Sequence, residues 1–337
     1  MSETNKKQIL ITDYLWPNLE VEKSILPTTD FDIIEAPNSS ESTLLDLAPG
    51  CDAIMTCFAE VTESIITAAN DSLKIISRYG IGTDNIAVHT ASRFGIPVTN
   101  VPDYCQPEVA DHTLALILNL ARGVNQSFSS LHSGEFGISS VQPLWRIAGS
   151  TLGLIGLGRI GRAVANRAKA FDLKIVACDP NINHHKHLDE LEQIDMVTLD
   201  DLLENSDFVS LHLPLTADTR YMLGKNEFRS MKKTAFVINT SRGPLIEESA
   251  LIEAIKTKDI AGAGLDVYEE EPLPVDSGLR KLPQVLLTSH TAFYSEDSLI
   301  ELQKRTANCV RLALTGKTPH NVVNADKISS HVTGEDW

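Results

Sequence analysis

Basic residues are scarce in this chain: 29 Lys and Arg stand against 45 Asp and Glu, a formal net charge of −16 over 337 residues. A protein that acidic lacks the positive field that draws partners such as nucleic acid or anionic membrane, although one or two arginines suffice to hold a small anion. Long apolar runs are lacking as well. No stretch approaches the roughly 20 residues that span a bilayer. The opening MSETNKKQIL has neither an apolar h-region nor a small-residue cleavage site. Cysteine is rare and odd in number: Cys51, Cys57, Cys105, Cys178 and Cys309 are scattered, without CxxC or other ligand spacing. Reduced thiols in a cytoplasmic protein fit that pattern better than a disulfide framework, and no metal site is expected. Aromatics make up only 6%, while 42% apolar and 22% charged residues are ordinary for a folded protein of this length, about two domains.

What is present is alternation. Short apolar runs at 8–12, 31–36, 52–57, 74–78 and 97–101 read as strands, with helical stretches such as 63–70 and 84–94 between them. Strands alternating with helices give βαβ units and a parallel sheet. An apolar helix is expected over 108–122, with Pro107 near its start and Gly123 after its end. The segment 127–150 is weakly patterned and reads as an extended arm or loop anchored by Trp145. A second series follows, with strands at 151–155, 174–178, 207–211, 235–239, 263–267 and 285–288. Helices are expected at 160–170, 201–204, 226–230 and 244–256, and a last one at 296–314, capped by Ser295 and closed by Gly316.

The strongest local signal is TLGLIGLGRIGRAVANRA, which places Gly156, Gly158 and Gly161 in a G-x-G-x-x-G turn after an apolar strand and at the start of a helix. The first glycine permits the tight turn, the second lets a pyrophosphate approach the backbone, and the third lets helix and strand pack closely. Leu157, Arg159 and Ile160 complete the turn, whose amides face the anion at the helix N-terminus. Glycine-rich turns also occur without a nucleotide. Here Asp179 follows Gly161 by eighteen residues, at the end of the next strand. It can accept both ribose hydroxyls and would repel a 2′-phosphate, which favours NAD over NADP. His184, His185, Lys186 and His187 come next. A solvated loop is the first reading of that run; metal ligation, or a partial offset of the Asp179 repulsion, are the others.

Three further motifs end later strands: Asn239-Thr-Ser-Arg-Gly243, Leu265-Asp-Val-Tyr-Glu-Glu-Glu-Pro272 and Thr288-Ser-His-Thr-Ala292. Open α/β sheets bind ligands at that edge. Arg242 suits a carboxylate by bidentate pairing. His290 can donate a proton near neutral pH, and Glu271 beside it would favour the imidazolium and fix its orientation. Singly these are a surface arginine, a solvated acidic run and a core histidine; on successive strands after a nucleotide motif they point to one site.

Together with RYGIGTDNI and NVPDYCQPEVADHTLALIL, these segments resemble the D-isomer-specific 2-hydroxyacid dehydrogenase family over about residues 9–324. SHTAFYSE, the R-x-G-x-G-x-D-N-I loop and the spacing after EEEP look closest to its carboxy-terminal-binding and phosphoglycerate dehydrogenase-like branch. The resemblance implies an α/β fold of two domains with parallel sheets. A flavodoxin-like substrate domain would span 1–103 and 296–337, and a Rossmann NAD-binding domain 104–295. It implies NAD as cofactor, a small 2-oxo or 2-hydroxy acid as substrate, no nucleic acid or membrane partner, and a homodimer in which the 127–150 arm crosses to the second copy. Arg242 would orient the substrate, His290 would protonate its carbonyl oxygen, Glu271 would pair with His290, and Asp266 would contact the nicotinamide amide. Leu213, Pro214, Thr219, Thr240, Ser241 and Ala292 would line the cofactor with Arg242 and His290. Arg78, Gly80, Ile81 and Gly82 would form the substrate-carboxylate loop. Phe293 stands where the corepressor members carry tryptophan. The implied function is NAD-dependent reduction of a 2-oxo acid to a D-2-hydroxy acid, or the reverse. The alternative is an NAD(H)-sensing corepressor-like scaffold that binds partner peptides.

Overall fold

The structure, a computed structural model, describes residues 6–181 and 194–328. The chain divides into two compact units, Met1–Tyr104 with Ser295–Trp337, and Cys105–Tyr294.

In the first unit the apolar runs become β1 (Lys7–Ile11), β2 (Phe31–Glu35), β3 (Ala53–Thr56), β4 (Ile75–Arg78) and β5 (Val98–Thr99). They form a parallel sheet of order β2-β1-β3-β4-β5, the flavodoxin-like winding. Every residue of β3 and β4 is buried. Such strands read as continuous apolar runs because helices cover both faces of the sheet. Helices Glu41–Leu47 and Glu63–Ala69 start where the Ser40 and Thr62 hydroxyls accept the Thr43 and Ile65 amides. Helix Glu296–Leu314 starts in a reciprocal cap: Ser295 Oγ accepts from the Ser298 amide, and Ser298 Oγ from the Ser295 amide.

In the second unit β6 (Thr151–Ile155), β7 (Lys174–Cys178), β8 (Asp195–Met196), β9 (Phe208–Leu211), β10 (Phe236–Asn239), β11 (Gly262–Leu265) and β12 (Val285–Leu287) form a seven-stranded parallel sheet. Its order is β12-β11-β10-β9-β6-β7-β8, so the winding reverses between β6 and β9. That is the Rossmann order with one added strand, and such a sheet binds its ligand at the reversal. The register aligns the strand ends: Ile155 stands beside Cys178 and Leu211, Asn239 beside Leu211 and Leu265, and Leu265 beside Leu287. The turns that follow these strands therefore emerge in one row. Helix Gln106–Arg122 closes on β11 because Gly264 has no side chain; a Cβ there would lie 3.2 Å from Leu116 Cβ.

The structure corrects the start of the 127–150 segment, read as an extended arm or loop; after His132 it is loop with one short 3-10 turn at Ile138–Ser140. Gly123 ends the long helix at φ +58°, and a second helix, Val124–His132, follows at once. Val124, Phe128 and Leu131 repeat at helical spacing, but the stripe is thin and more than half exposed, which is why the polar residues around it masked the period. Trp145 is itself half exposed and lines a cavity of about 250 Å³ with Leu120, Phe208 and Phe236. Short helices at Glu20–Ile25 and Glu41–Leu47 and the two-residue strand β8 were not among the expected elements. Residues 184–187 lie outside the described residues. Among the described residues no helix is long and apolar enough to cross a membrane. Nor does any group of three or more His, Cys, Asp and Glu among them fit a metal ion. All five cysteines are free thiols.

Candidate active site

The three glycines after β6 differ in why they are glycine. Gly156 has φ +93°, and a Cβ on it would lie 2.4 Å from the His212 carbonyl oxygen, where the chain leaves β9. A Cβ on Gly161 would lie 2.4 Å from the Gly156 carbonyl oxygen, so this glycine lets helix Arg159–Ala168 sit on the strand end. A Cβ on Gly158 would meet nothing within 4 Å. The space above it is open, as close approach of a pyrophosphate requires. Arg159 and Ile160 open the helix. Asp179, after β7, reaches back to the turn: its Oδ2 accepts the Leu157 amide at 2.8 Å and its Oδ1 the Asn181 amide at 2.8 Å. The open space above Gly158 and the turn at the helix N-terminus, Gly156, Leu157, Gly158, Arg159, Ile160 and Gly161, fit a dinucleotide.

Next in the row is the turn after β9. His212 is buried against Gly161, its Nε2 2.9 Å from Ser210 Oγ and its Nδ1 without a partner. Burial lowers its pKa to about 3 and keeps the ring neutral. Leu213 and Pro214 follow, and the Thr219 hydroxyl closes the loop on the Pro214 carbonyl at 2.8 Å. After β10, Asn239 folds the next turn on itself, taking the Ser241 amide and donating to the Arg242 carbonyl. Ser241 Oγ donates to the Leu211 carbonyl, and Thr240 Oγ1 lies 2.9 Å from Thr113 Oγ1. Gly243 is forced: a Cβ there would fall 1.8 Å from the Tyr268 carbonyl oxygen. The Arg242 turn is thereby pressed on the turn after β11.

That neighbouring turn carries Asp266 and Glu271. Glu271 Oε1 accepts the Tyr268 amide at 3.0 Å, and Oε2 lies 2.6 Å from His290 Nδ1. Burial by itself raises the Glu271 carboxyl. The bond to His290, its charge, the Tyr268 amide and Arg242 outweigh burial and hold it below its ordinary value. Both partners keep about a quarter to a third of their side-chain surface exposed, 24% for His290 and 32% for Glu271, so a reacting molecule can reach the pair. His290 itself sits at φ +53°, a left-handed conformation that costs a side-chain-bearing residue about 1–2 kcal/mol. Phe293 stands edge-on to its ring at 6.0 Å. Asp266 is fully buried, and its carboxylate takes the Thr291 and Ala292 amides at 2.9 and 2.8 Å and the Thr288 hydroxyl at 2.5 Å. Its most direct visible task is to hold the turn around His290.

In the other unit, the loop after β4 is equally determined. Arg78 is buried and its Nη1 donates to the Tyr79 carbonyl at 2.8 Å, so it is no solvent-facing arginine. The guanidinium lies across Gly80, where a Cβ would fall 1.1 Å from Nη1 and φ is +144°. Val101 and Asn100 tie down the Gly80 and Ile81 carbonyls at 2.9 and 2.6 Å, ahead of Gly82. Fully buried Tyr79 donates to Glu22 beneath the loop at 3.1 Å.

The row of turns thus unites Gly156 to Gly161, Asp179, Leu213, Pro214, Thr219, Thr240, Ser241, Arg242, Asp266, Glu271, His290 and Ala292 in one unit. Arg78, Gly80, Ile81 and Gly82 belong to the other. Sequence reasoning passed over His112, Thr113 and Tyr268. Adjacent polar residues on an otherwise apolar helix were the available sign for the first two.

Comparison with known proteins identifies the family. Residues 114–292 match the family D-isomer specific 2-hydroxyacid dehydrogenase, NAD binding domain. A glyoxylate reductase of Korarchaeum cryptofilum (strain OPF8) is 37% identical over 303 residues, which cover 89% of this chain and 90% of that protein. A D-3-phosphoglycerate dehydrogenase of Methanocaldococcus jannaschii is 39% identical over 82% of this chain and 52% of that longer protein. The solved D-lactate dehydrogenase of Aquifex aeolicus, complexed with NAD and lactic acid, is 27% identical, with a TM-score of 0.83 over 92% of this chain and 96% of that one. With its Rossmann unit, its NAD cradle and this likeness along most of its length, the chain belongs to the NAD-dependent D-isomer specific 2-hydroxyacid dehydrogenase family.

Proposed function

We propose that the protein reduces a small 2-oxo acid to the D-2-hydroxy acid, or runs the reverse, with His290 and Glu271 as its acid–base pair and Arg242 orienting the substrate. The 2.6 Å contact between His290 Nδ1 and Glu271, beside Arg242, carries this reading. A carboxylate on Nδ1 fixes the ring and leaves Nε2 to exchange a proton with the substrate oxygen. Glu271 stabilises the imidazolium from which the proton leaves. Arg242 offers the planar pair of donors that a carboxylate accepts. NAD, when bound, supplies the hydride chemistry. Residues 104–295 serve as the NAD domain. Residues 1–103 and 296–337 serve as the substrate domain, with Arg78 and the amides of Gly80, Ile81 and Gly82 facing the substrate's carboxylate. Among the relatives, glyoxylate reductase makes glyoxylate the first substrate to try.

NADH consumption by the full chain, measured with glyoxylate, hydroxypyruvate, 3-phosphohydroxypyruvate and branched 2-oxo acids, tests the proposal. At least one acid is turned over, and His290→Gln lowers its kcat by about 10²–10⁴-fold while NADH affinity changes little. A wild type that binds NADH and reduces none of these acids would move the reading to the corepressor-like scaffold. The same reading includes a cytoplasmic homodimer. The exposed stripe Val124, Phe128 and Leu131 supports pairing with a second copy, and five free thiols suit a reducing compartment. A monomer in sedimentation equilibrium would remove the dimer.

A further inference from the structure

The Asp266 carboxylate is held from behind by a histidine of the long apolar helix. His112 lies on helix Gln106–Arg122, with Nε2 3.0 Å from Thr288 Oγ1 and 3.6 Å from Asp266 Oδ1. Thr288 donates its hydroxyl proton to Asp266 Oδ1. A hydroxyl has one proton to give, so its contact with His112 requires an N–H on the histidine. The chain therefore has a direction: His112 Nε2–H to Thr288 Oγ1–H to Asp266 Oδ1. At its far end Asp266 grips both sides of His290. Its carboxylate takes the Thr291 and Ala292 amides, and its carbonyl takes the His290 amide at 2.8 Å. Those bonds secure a left-handed backbone that a residue with a Cβ does not adopt unaided.

The helix is a firm base for such a chain. Gly264 lets it close on β11. The next residue, Thr113, meets Thr240 at 2.9 Å on the strand end that leads to Arg242. A residue serving only to fill space on this apolar helix would need no polar end, and a three-quarters-buried imidazole costs desolvation unless it is bonded.

We propose that His112 is a positioning residue of the reaction: through Thr288 it orders Asp266, and Asp266 holds the turn that presents His290 to Glu271. The inference rests on the acid–base reading of His290 above, and its test separates the two. Full-length His112→Ala, His112→Gln and Thr288→Val are compared with wild type by two measurements. The first is the low-field proton NMR signal of the short His290–Glu271 hydrogen bond, assigned by its loss in Glu271→Gln; it requires no cofactor. The second is kcat and KM with NADH and glyoxylate, or another of the 2-oxo acids named above.

In His112→Ala the signal broadens or disappears and kcat falls roughly tenfold, the worth of one lost internal hydrogen bond, while KM for NADH stays within about twofold. His112→Gln keeps a donor at the same reach and recovers both. Thr288→Val cuts the chain at its other link and repeats the loss, which also covers a His112→Ala that does not fold. A wild-type signal in His112→Ala overturns the proposal. So do equal losses in the Ala and Gln variants. If wild type turns over no 2-oxo acid, the acid–base reading fails, and the NMR signal still decides whether His112 positions His290.

Discussion

Two glycines two residues apart should fail in opposite ways when given a methyl group. In Gly156→Ala the new Cβ falls 2.4 Å from the His212 carbonyl oxygen and 2.8 Å from its carbon, and the backbone stands at φ +93°. The obstruction is main chain at the end of a central strand, so it cannot swing aside. Strain at positive φ costs about 1–2 kcal/mol, and overpacking against fixed backbone about 1–3 kcal/mol. Together they destabilise the Rossmann unit by roughly 2–5 kcal/mol, a fall in Tm of roughly 4–20 °C for a body of its size. In Gly158→Ala the Cβ meets nothing within 4 Å and φ is an ordinary −69°. A weaker helix cap and a stiffer unfolded chain oppose each other, each by under about 1 kcal/mol, so Tm hardly moves. The methyl instead occupies the space a pyrophosphate needs. Losing one charged hydrogen bond there costs about 1.5–3 kcal/mol, roughly a ten- to hundredfold rise in Kd for NADH. Thermal unfolding and NADH fluorescence titration on the same preparations read both effects. A Gly158→Ala variant that binds NADH as tightly as wild type, or that loses Tm as Gly156→Ala does, would refute this account of the turn.

The Glu271 carboxyl is held below its ordinary value of 4.5. Its contribution to stability is therefore complete above that value and lost as pH falls through the lower folded one. Glu271→Gln should be less stable than wild type at neutral pH and lack this part of the acid loss in urea unfolding; identical pH dependence would mean that the pair adds nothing to folding. The same substitution removes the carboxylate that holds the His290 ring, so kcat of reduction should fall while NADH affinity changes little. Asp179 at the ribose predicts a higher kcat/KM with NADH than with NADPH, and Asp179→Ala should narrow the gap. Equal use of both cofactors by wild type would remove that role. Arg78→Ala should raise KM for the 2-oxo acid and lower kcat/KM roughly ten- to a hundredfold, leaving KM for NADH almost unchanged. An effect within about twofold would leave the substrate to Arg242 and the loop amides.

The elements that could be read from the chain are those whose signal is local. Short apolar runs marked every strand except the two-residue β8. Gly123, Ser295 and Gly156 announced themselves through backbone rules that act within a few residues. The order Arg242, Glu271, His290 placed chemistry at three strand ends because a parallel sheet presents its carboxyl edge along one side. Helix Val124–His132 escaped because its apolar stripe covers no core of the chain, so its burial never sharpened the pattern. His112 and Thr288 are separated by 176 positions, and no periodicity links them. Gly243 looks like any turn glycine until the Tyr268 carbonyl is seen where its side chain would be. The fold adds to Asp266 contacts that no local pattern announces: its carboxylate takes the Thr288 hydroxyl and the Thr291 and Ala292 amides. Side-chain periodicity and capping are properties of one segment. Which polar group meets which is set by strand register and by how closely a helix can approach a sheet, and those distances exist only once the cores have packed.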